Sequence, residues 1–145
     1  MPAHFFDQEV NSKLIQRRTL SHFLDEMIRN RKRMISKVKL NYIFCNDAIL
    51  HNINLQFLNH DDYTDIITFD LSEKPGSLNA ELYISVERVA ENAKLFNTSY
   101  EMELHRVIFH GALHLCGLGD KTAEEKIAMR QAEDTVIEQW FSRKQ

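Results

Sequence analysis

The stretch TDIITFDLSEKPGSLNAELYISV, residues 64–86, decides the fold. Its two ends, TDIITFDL (64–71) and AELYISV (80–86), are rich in β-branched and aromatic residues, and the second alternates apolar with polar positions. Both read as strands. Between them SEKPGSLN carries Pro75 and Gly76, the strongest turn punctuation in the chain. The two runs are expected to pair as a hairpin.

Working outward, VKLNYIFC (38–45) reads as a third strand and HFFDQEV (4–10) as a weaker fourth. Leu20, Phe23, Leu24, Met27 and Ile28 recur at helical spacing, which predicts a helix over about 13–32. Asn46 or Asp47 can cap a short helix carrying Ile49, Leu50, Ile53 and Phe57. Three further helices follow the hairpin. The first buries Val86, Val89, Ala90 and Ala93. The second opens at TSYE (98–101), which has the form of a capping box. The third opens at TAEE (122–125) and turns Met129, Ala132, Val136, Ile137 and Trp140 inward. No repeat, low-complexity tract or linker interrupts the chain. The expectation is one α+β domain over residues 1–145, a small β-sheet packed with about five helices.

Composition narrows the class. With 43% hydrophobic and 27% charged residues the chain matches an ordinary soluble domain. No apolar run approaches the roughly 20 residues that cross a bilayer, so no membrane partner is expected. The start MPAHFFDQEV lacks a secretory pattern. Cys45 and Cys116 form no CxxC and read as two reduced, buried thiols of a cytoplasmic protein. Net charge is −3, which gives no global attraction for nucleic acid. Yet RNRKRMISKVK (29–39) holds Arg29, Arg31, Lys32, Arg33, Lys37 and Lys39 without an acid. Two readings stay open for it: a solvated helix end whose cations complement the dipole, or a phosphate-facing patch that binds RNA.

The chemistry concentrates in HGALHLCGLGD (110–120), which contains three of the four glycines. On a helix, His110 and His114 project from one face about one turn apart. Two imidazoles at that spacing can bind one metal ion. Gly117 suits the left-handed position that ends a helix, and Gly119 loosens a return path that brings Asp120 back as a third ligand. Three protein ligands leave a coordination position open, as catalytic sites require. Cys116 lies about 200° around the helix from His114 and belongs to the core. Gly111 costs roughly 1 kcal/mol relative to alanine in a helix interior, so close approach of another backbone or of substrate is expected there, beside the first ligand. Zincin proteases carry glutamate at that position as general base. Without it, peptide hydrolysis loses the roughly 10²–10⁴-fold that general acid–base catalysis supplies. Polarisation of a phosphodiester depends less on such a base. Other histidines, His4, His22, His51 and His105, carry no ligand spacing and read as surface or satisfied residues.

These blocks resemble the YbeY family, metal-dependent endoribonucleases of bacterial rRNA maturation. Its signature, close to HGxLHLxGYDH, is matched by His110, Gly111, Leu113, His114, Leu115 and Gly117. A second block, roughly LNxxYRxxDxPTDVLSF, is similar to INLQFLNHDDYTDIITF (53–69), with Asn54, Asp61, Thr64, Asp65 and Phe69 in common. NAELYIS (79–85) is similar to a third, LGDIxIS. The resemblance implies a mixed sheet, a metal site at a helix C-terminus and a single zinc-like divalent ion on three ligands. It also implies cleavage of single-stranded RNA in 16S rRNA 3′-end maturation and ribosome quality control, and partners on the small ribosomal subunit.

Two departures stand out. Asp120 occupies the place of the family's usual third histidine; a carboxylate is a competent but harder ligand. Leu58 occupies the place of its usual arginine and cannot pair with phosphate. His60 or the basic stretch could supply that charge. His60, Asp61 and Asp65 are the candidates for catalysis, against the alternative of a polar turn entering a strand. Two other functions are weighed: a non-catalytic ribosome-assembly factor that binds rRNA or a ribosomal protein, and a metalloprotease-like hydrolase.

Overall fold

The computed structural model describes residues 1–58 and 64–143. Among them the order is β1 (Ala3–Asp7), α1 (Arg17–Arg31), β2 (Lys37–Cys45), α2 (Asp47–Leu58), β3 (Ile66–Asp70), β4 (Ser77–Ser85), α3 (Val86–Leu95), α4 (Tyr100–Leu115) and α5 (Ala123–Ser142). The sheet runs β1-β2-β4-β3. β1, β2 and β4 are parallel, and β3 pairs antiparallel with β4. The expected α+β class, the hairpin and the mixed sheet are all present. The hairpin turn is tighter than its sequence suggested: Ser77 N–H donates to Lys74 O at 3.1 Å around Pro75 and Gly76, so β4 begins at Ser77.

Strand alternation sorts the two faces. Leu40, Tyr42 and Phe44 of β2 and Leu78, Ala80, Leu82 and Ile84 of β4 face the main core. That core is completed by α1, α3, α4 and α5. On the other face, α2 covers a smaller cluster of Cys45, Leu50 and Ile67. The hydroxyl of fully buried Tyr42 donates to Ile108 O at 2.9 Å, fixing the central helix α4 to the sheet. Cys45 and Cys116 are both unpaired and buried, Cys116 in the main core rather than among candidate ligands.

Helix ends follow side-chain chemistry. Asn46 accepts from Ile49 N–H at 2.8 Å and so caps α2. Thr122 and Glu125 form the expected capping box of α5. The α4 cap is Ser99, one residue later than the TSYE pattern places it, because Thr98 N–H instead closes the end of α3 onto Ala93 O. α1 begins at Arg17, four residues after the expected start. Lys13 and Gln16 adopt positive φ (60° and 56°), which no helix continues through.

Gly111 lies where α4 crosses the hairpin. A Cβ there would sit 2.5 Å from Leu82 Cδ2 and 2.8 Å from Ile66 Cδ1. The close approach expected of a backbone or a substrate is made instead by side chains of the hairpin. Gly111→Ala gains roughly 1 kcal/mol of helix propensity but incurs overpacking of about 1–3 kcal/mol. Since Leu82 is fully buried, we expect a net loss on the order of 1 kcal/mol in urea unfolding. A variant at least as stable as wild type would contradict this account of the contact.

Candidate functional site

α4 carries His110 and His114 on its hairpin-facing edge, and its end is built to return the chain toward them. Gly117 adopts φ +104°. Gly117 N–H donates to His114 O at 3.0 Å and Leu118 N–H to Leu113 O at 3.2 Å, the double bond of a Schellman stop. Gly119 serves a purpose the sequence did not indicate. A Cβ there would lie 2.5 Å from Glu125 Oε2. The Glu125 carboxylate accepts from the N–H groups of Lys121 and Thr122 at 3.1 and 2.9 Å, anchoring the loop that carries Asp120.

His110, His114 and Asp120 line one cavity of about 290 Å³, together with Thr64, Asp65 and Thr68. His110 Nε2 stands 3.4 Å from Asp120 Oδ2. Two ligand atoms on adjacent corners of a zinc tetrahedron, each at 2.0–2.1 Å, are separated by about 3.3 Å. The His110–Asp120 pair thus has the spacing of a shared cation. His114 lies on the same wall but is exposed, with Nδ1 3.3 Å from Leu118 O. Both imidazoles therefore have Nδ1 engaged, which leaves Nε2 as the ligating atom. Among the described residues, no three His, Cys, Asp or Glu side chains are already grouped to hold an ion. The donor set fits a divalent metal in chemistry and in the His110–Asp120 spacing.

Charge is dense behind His110. Its Nδ1 donates to Glu133 Oε2 at 2.7 Å. Burial opposes the charged imidazolium, but Glu133, with Asp120 and Asp65 nearby, more than offsets it, and the ring pKa is raised. Arg106 donates to Glu133 at 3.0 Å and to Asp134 at 2.8 Å. Burial raises the Asp65 carboxyl, although nearby His110 lowers it in part. Burial likewise raises Glu103, reinforced by Asp65.

Of the catalytic candidates, Asp65 reaches the cavity. His60 and Asp61 lie outside the described residues, just beyond Leu58, the last residue of α2. The basic stretch does not form one patch. Arg29 is paired with Asp25 at 2.9 Å. Lys32 lies beside the α4 terminus, its Cε 3.8 Å from where a Gly117 Cβ would be, and the charges of Arg31 and Lys32 act on Cys116 there. Arg33 is exposed. Lys37 and Lys39 alternate with the core-facing residues of β2 and so lie on the α2 side of the sheet.

A model of the family described as Endoribonuclease YbeY matches residues 5–141. The chain belongs to the YbeY family. A YbeY endoribonuclease of Cytophaga hutchinsonii is 45% identical over 133 residues, 92% of each chain. One from Porphyromonas gingivalis is 40% identical over 134 residues, 92% of this chain and 87% of the relative. The solution structure of TM1509 from Thermotoga maritima superposes with a TM-score of 0.61 at 29% identity, covering 97% of this chain and 92% of that one. The YbeY fold expected from the three sequence blocks is the fold observed. No helix of the described residues is long and apolar enough to cross a membrane.

Glu133 and Arg106 were not anticipated. The available signal was an acid inside the apolar stripe of α5, four residues after Met129 and three before Val136. His105 also departs from expectation. It is buried at 3% exposure and stacks on Trp140 at 5.6 Å. Its Nδ1 bonds Glu101 O at 2.8 Å, while Nε2 has no hydrogen-bond partner among the described residues. Burial lowers its pKa. The unfolded chain therefore binds a proton at His105 more readily than the folded one. Stability from this residue is complete above about pH 6.5 and is lost as pH falls below it toward the lower folded value. We expect the stability of His105→Gln to fall less steeply than that of wild type below that pH. Parallel slopes in urea unfolding would contradict a buried neutral ring.

Proposed function

We propose that this chain is a metal-dependent endoribonuclease acting on single-stranded RNA, with His110, His114 and Asp120 as protein ligands of one divalent cation, zinc first among the candidates. The observation that carries the reading is the convergence of His110 Nε2 and Asp120 Oδ2, 3.4 Å apart, on a cavity that His114 also lines. Support for the substrate comes from relatives named as endoribonucleases at 37–45% identity. When bound, such a cation acts as a Lewis acid on phosphoryl oxygen and lowers the pKa of water toward 7.

The protein's own groups do the rest. Asp65, which lines the same cavity, is the carboxylate we assign to orienting the attacking water and taking its proton. His60 and Asp61 remain candidates on sequence grounds. Leu58 offers no charge for the phosphate; Arg31 and Lys32 near the α4 terminus, and Arg130, which lines a second cavity with His110 and Asp120, are the cations that can guide the RNA backbone. That contribution should weaken with added salt. Family membership further supports a cytoplasmic role in 16S rRNA 3′-end maturation and quality control on the small ribosomal subunit. A purely non-catalytic assembly role is not favoured, because the relatives are endoribonucleases and the donor set opens on a cavity. Glycine at position 111 removes the general base of a zincin protease.

The test is cleavage of a labelled single-stranded RNA by nuclease-free protein, stripped of metal and then restored with zinc. We expect zinc to restore cleavage. His114→Ala should lose more than the roughly 10–100-fold typical of outer-shell changes. Binding without cleavage would overturn the enzymatic reading, and cleavage of peptides alone would redirect it to proteolysis. Asp120→His should keep activity and shift metal preference from manganese toward zinc, as softer nitrogen replaces oxygen. An unchanged preference would remove Asp120 from the ligand set.

A further inference from the structure

We propose that Glu133 is a positioning residue that decides which nitrogen of His110 carries the proton, and that Arg106 sets the orientation in which it does so. The inference rests on the metal-binding reading of His110 and extends it to two residues on which that reading is silent. Glu133 is almost wholly buried, and its two oxygens are divided between two donors. Oε1 accepts from Arg106 Nη1 at 3.0 Å, and Oε2 accepts from His110 Nδ1 at 2.7 Å. Arg106 is held in turn by Asp134 at 2.8 Å. Arg130 approaches Oε1 only to 3.8 Å, beyond hydrogen-bond reach.

A guanidinium can only donate, and an ionised carboxylate can only accept. Glu133 therefore requires the His110 proton on Nδ1. In the neutral ring this leaves the Nε2 lone pair bare on the cavity side, where Asp120 faces it. Partners of this kind on a ligating histidine fix its tautomer and orientation.

The arrangement gives glutamine at 133 a specific defect. Glutamine has one acceptor oxygen and one donor nitrogen. The charge-assisted bond from Arg106 claims the oxygen, because it is stronger than a bond from a neutral imidazole. The amide NH₂ then faces His110 Nδ1, which must accept, and the ring proton moves to Nε2. A glutamine of nearly the same size would thus block the nitrogen that faces the cavity. Removing the Arg106 charge frees the amide to turn its oxygen back to His110. A merely structural Glu133 predicts the opposite order, with the double variant worse than either single one.

The experiment measures cobalt(II) affinity and visible absorption for wild type, E133Q, R106M and E133Q/R106M, with circular dichroism to establish folding. We expect E133Q to bind about 10–100-fold more weakly, R106M to lose less than E133Q does, and the double variant to bind more tightly than E133Q. Nitrogen-15 imidazole spectra of metal-free protein, at a pH where the ring is neutral, should place the His110 proton on Nδ1 in wild type and on Nε2 in E133Q. Wild-type affinity in E133Q, a double variant no tighter than E133Q, or a wild-type proton on Nε2 would each overturn the inference. If E133Q does not fold, the wild-type nitrogen-15 spectrum decides alone. H110A and H114A run alongside. If they bind cobalt like wild type, the metal-ligand reading fails and takes this inference with it. If they bind weakly while E133Q does not, only the inference fails.

Discussion

At position 111 the central helix meets the β3–β4 hairpin with no room for a β-carbon, and the site depends on that contact. Leu82 and Ile66 fill the space a side chain would need. The neighbouring residue, His110, is thereby set against the wall of the cavity that holds Asp65 at the entry to β3. A helix held farther from the sheet would carry its imidazoles away from the hairpin. Tyr42 supports the same contact from beneath by bonding Ile108 O, one turn before the glycine.

The second constraint is electrostatic. His110 stands between acids on two sides, Glu133 at Nδ1 and Asp120 at Nε2. Without a cation, the imidazole protonates more readily than an ordinary histidine. A divalent ion supplies positive charge at the same place, so proton and metal compete for one nitrogen. Arg106 is bonded to the other oxygen of Glu133. The loop bearing Asp120 is fixed from the far end, by the α5 capping box and the Glu125 carboxylate seated against Gly119.

Much of this was legible in the sequence, and the reasons are physical. Alternation in AELYISV marked Ala80, Leu82 and Ile84 as core-facing, since a strand's period is two. It did not reveal that β1 and β2 run parallel to β4, because alternation carries no information about a strand's neighbour. The i, i+4 histidines and the glycine stop were legible because they lie on one continuous segment. Glu133 was not, because it reaches His110 from another helix 23 residues later in the chain. The delayed start of α1 was hidden for a related reason: Gln16 adopts a left-handed conformation although it is not a glycine. Its neighbour Arg17 is held by Phe5 O and Asp7, contacts formed only after β1 is in place. The dispersal of the basic stretch follows from a single turn into β2, which sends Lys37 and Lys39 to the opposite face of the sheet.

The central claim is that two imidazoles and one carboxylate hold a common cation. X-ray absorption at the zinc edge of the metal-loaded protein tests it most directly. The account predicts a shell of nitrogen and oxygen at about 2.0–2.1 Å with outer-shell scattering from two imidazole rings. Sulfur at about 2.3 Å, or scattering from fewer than two imidazoles, would contradict it.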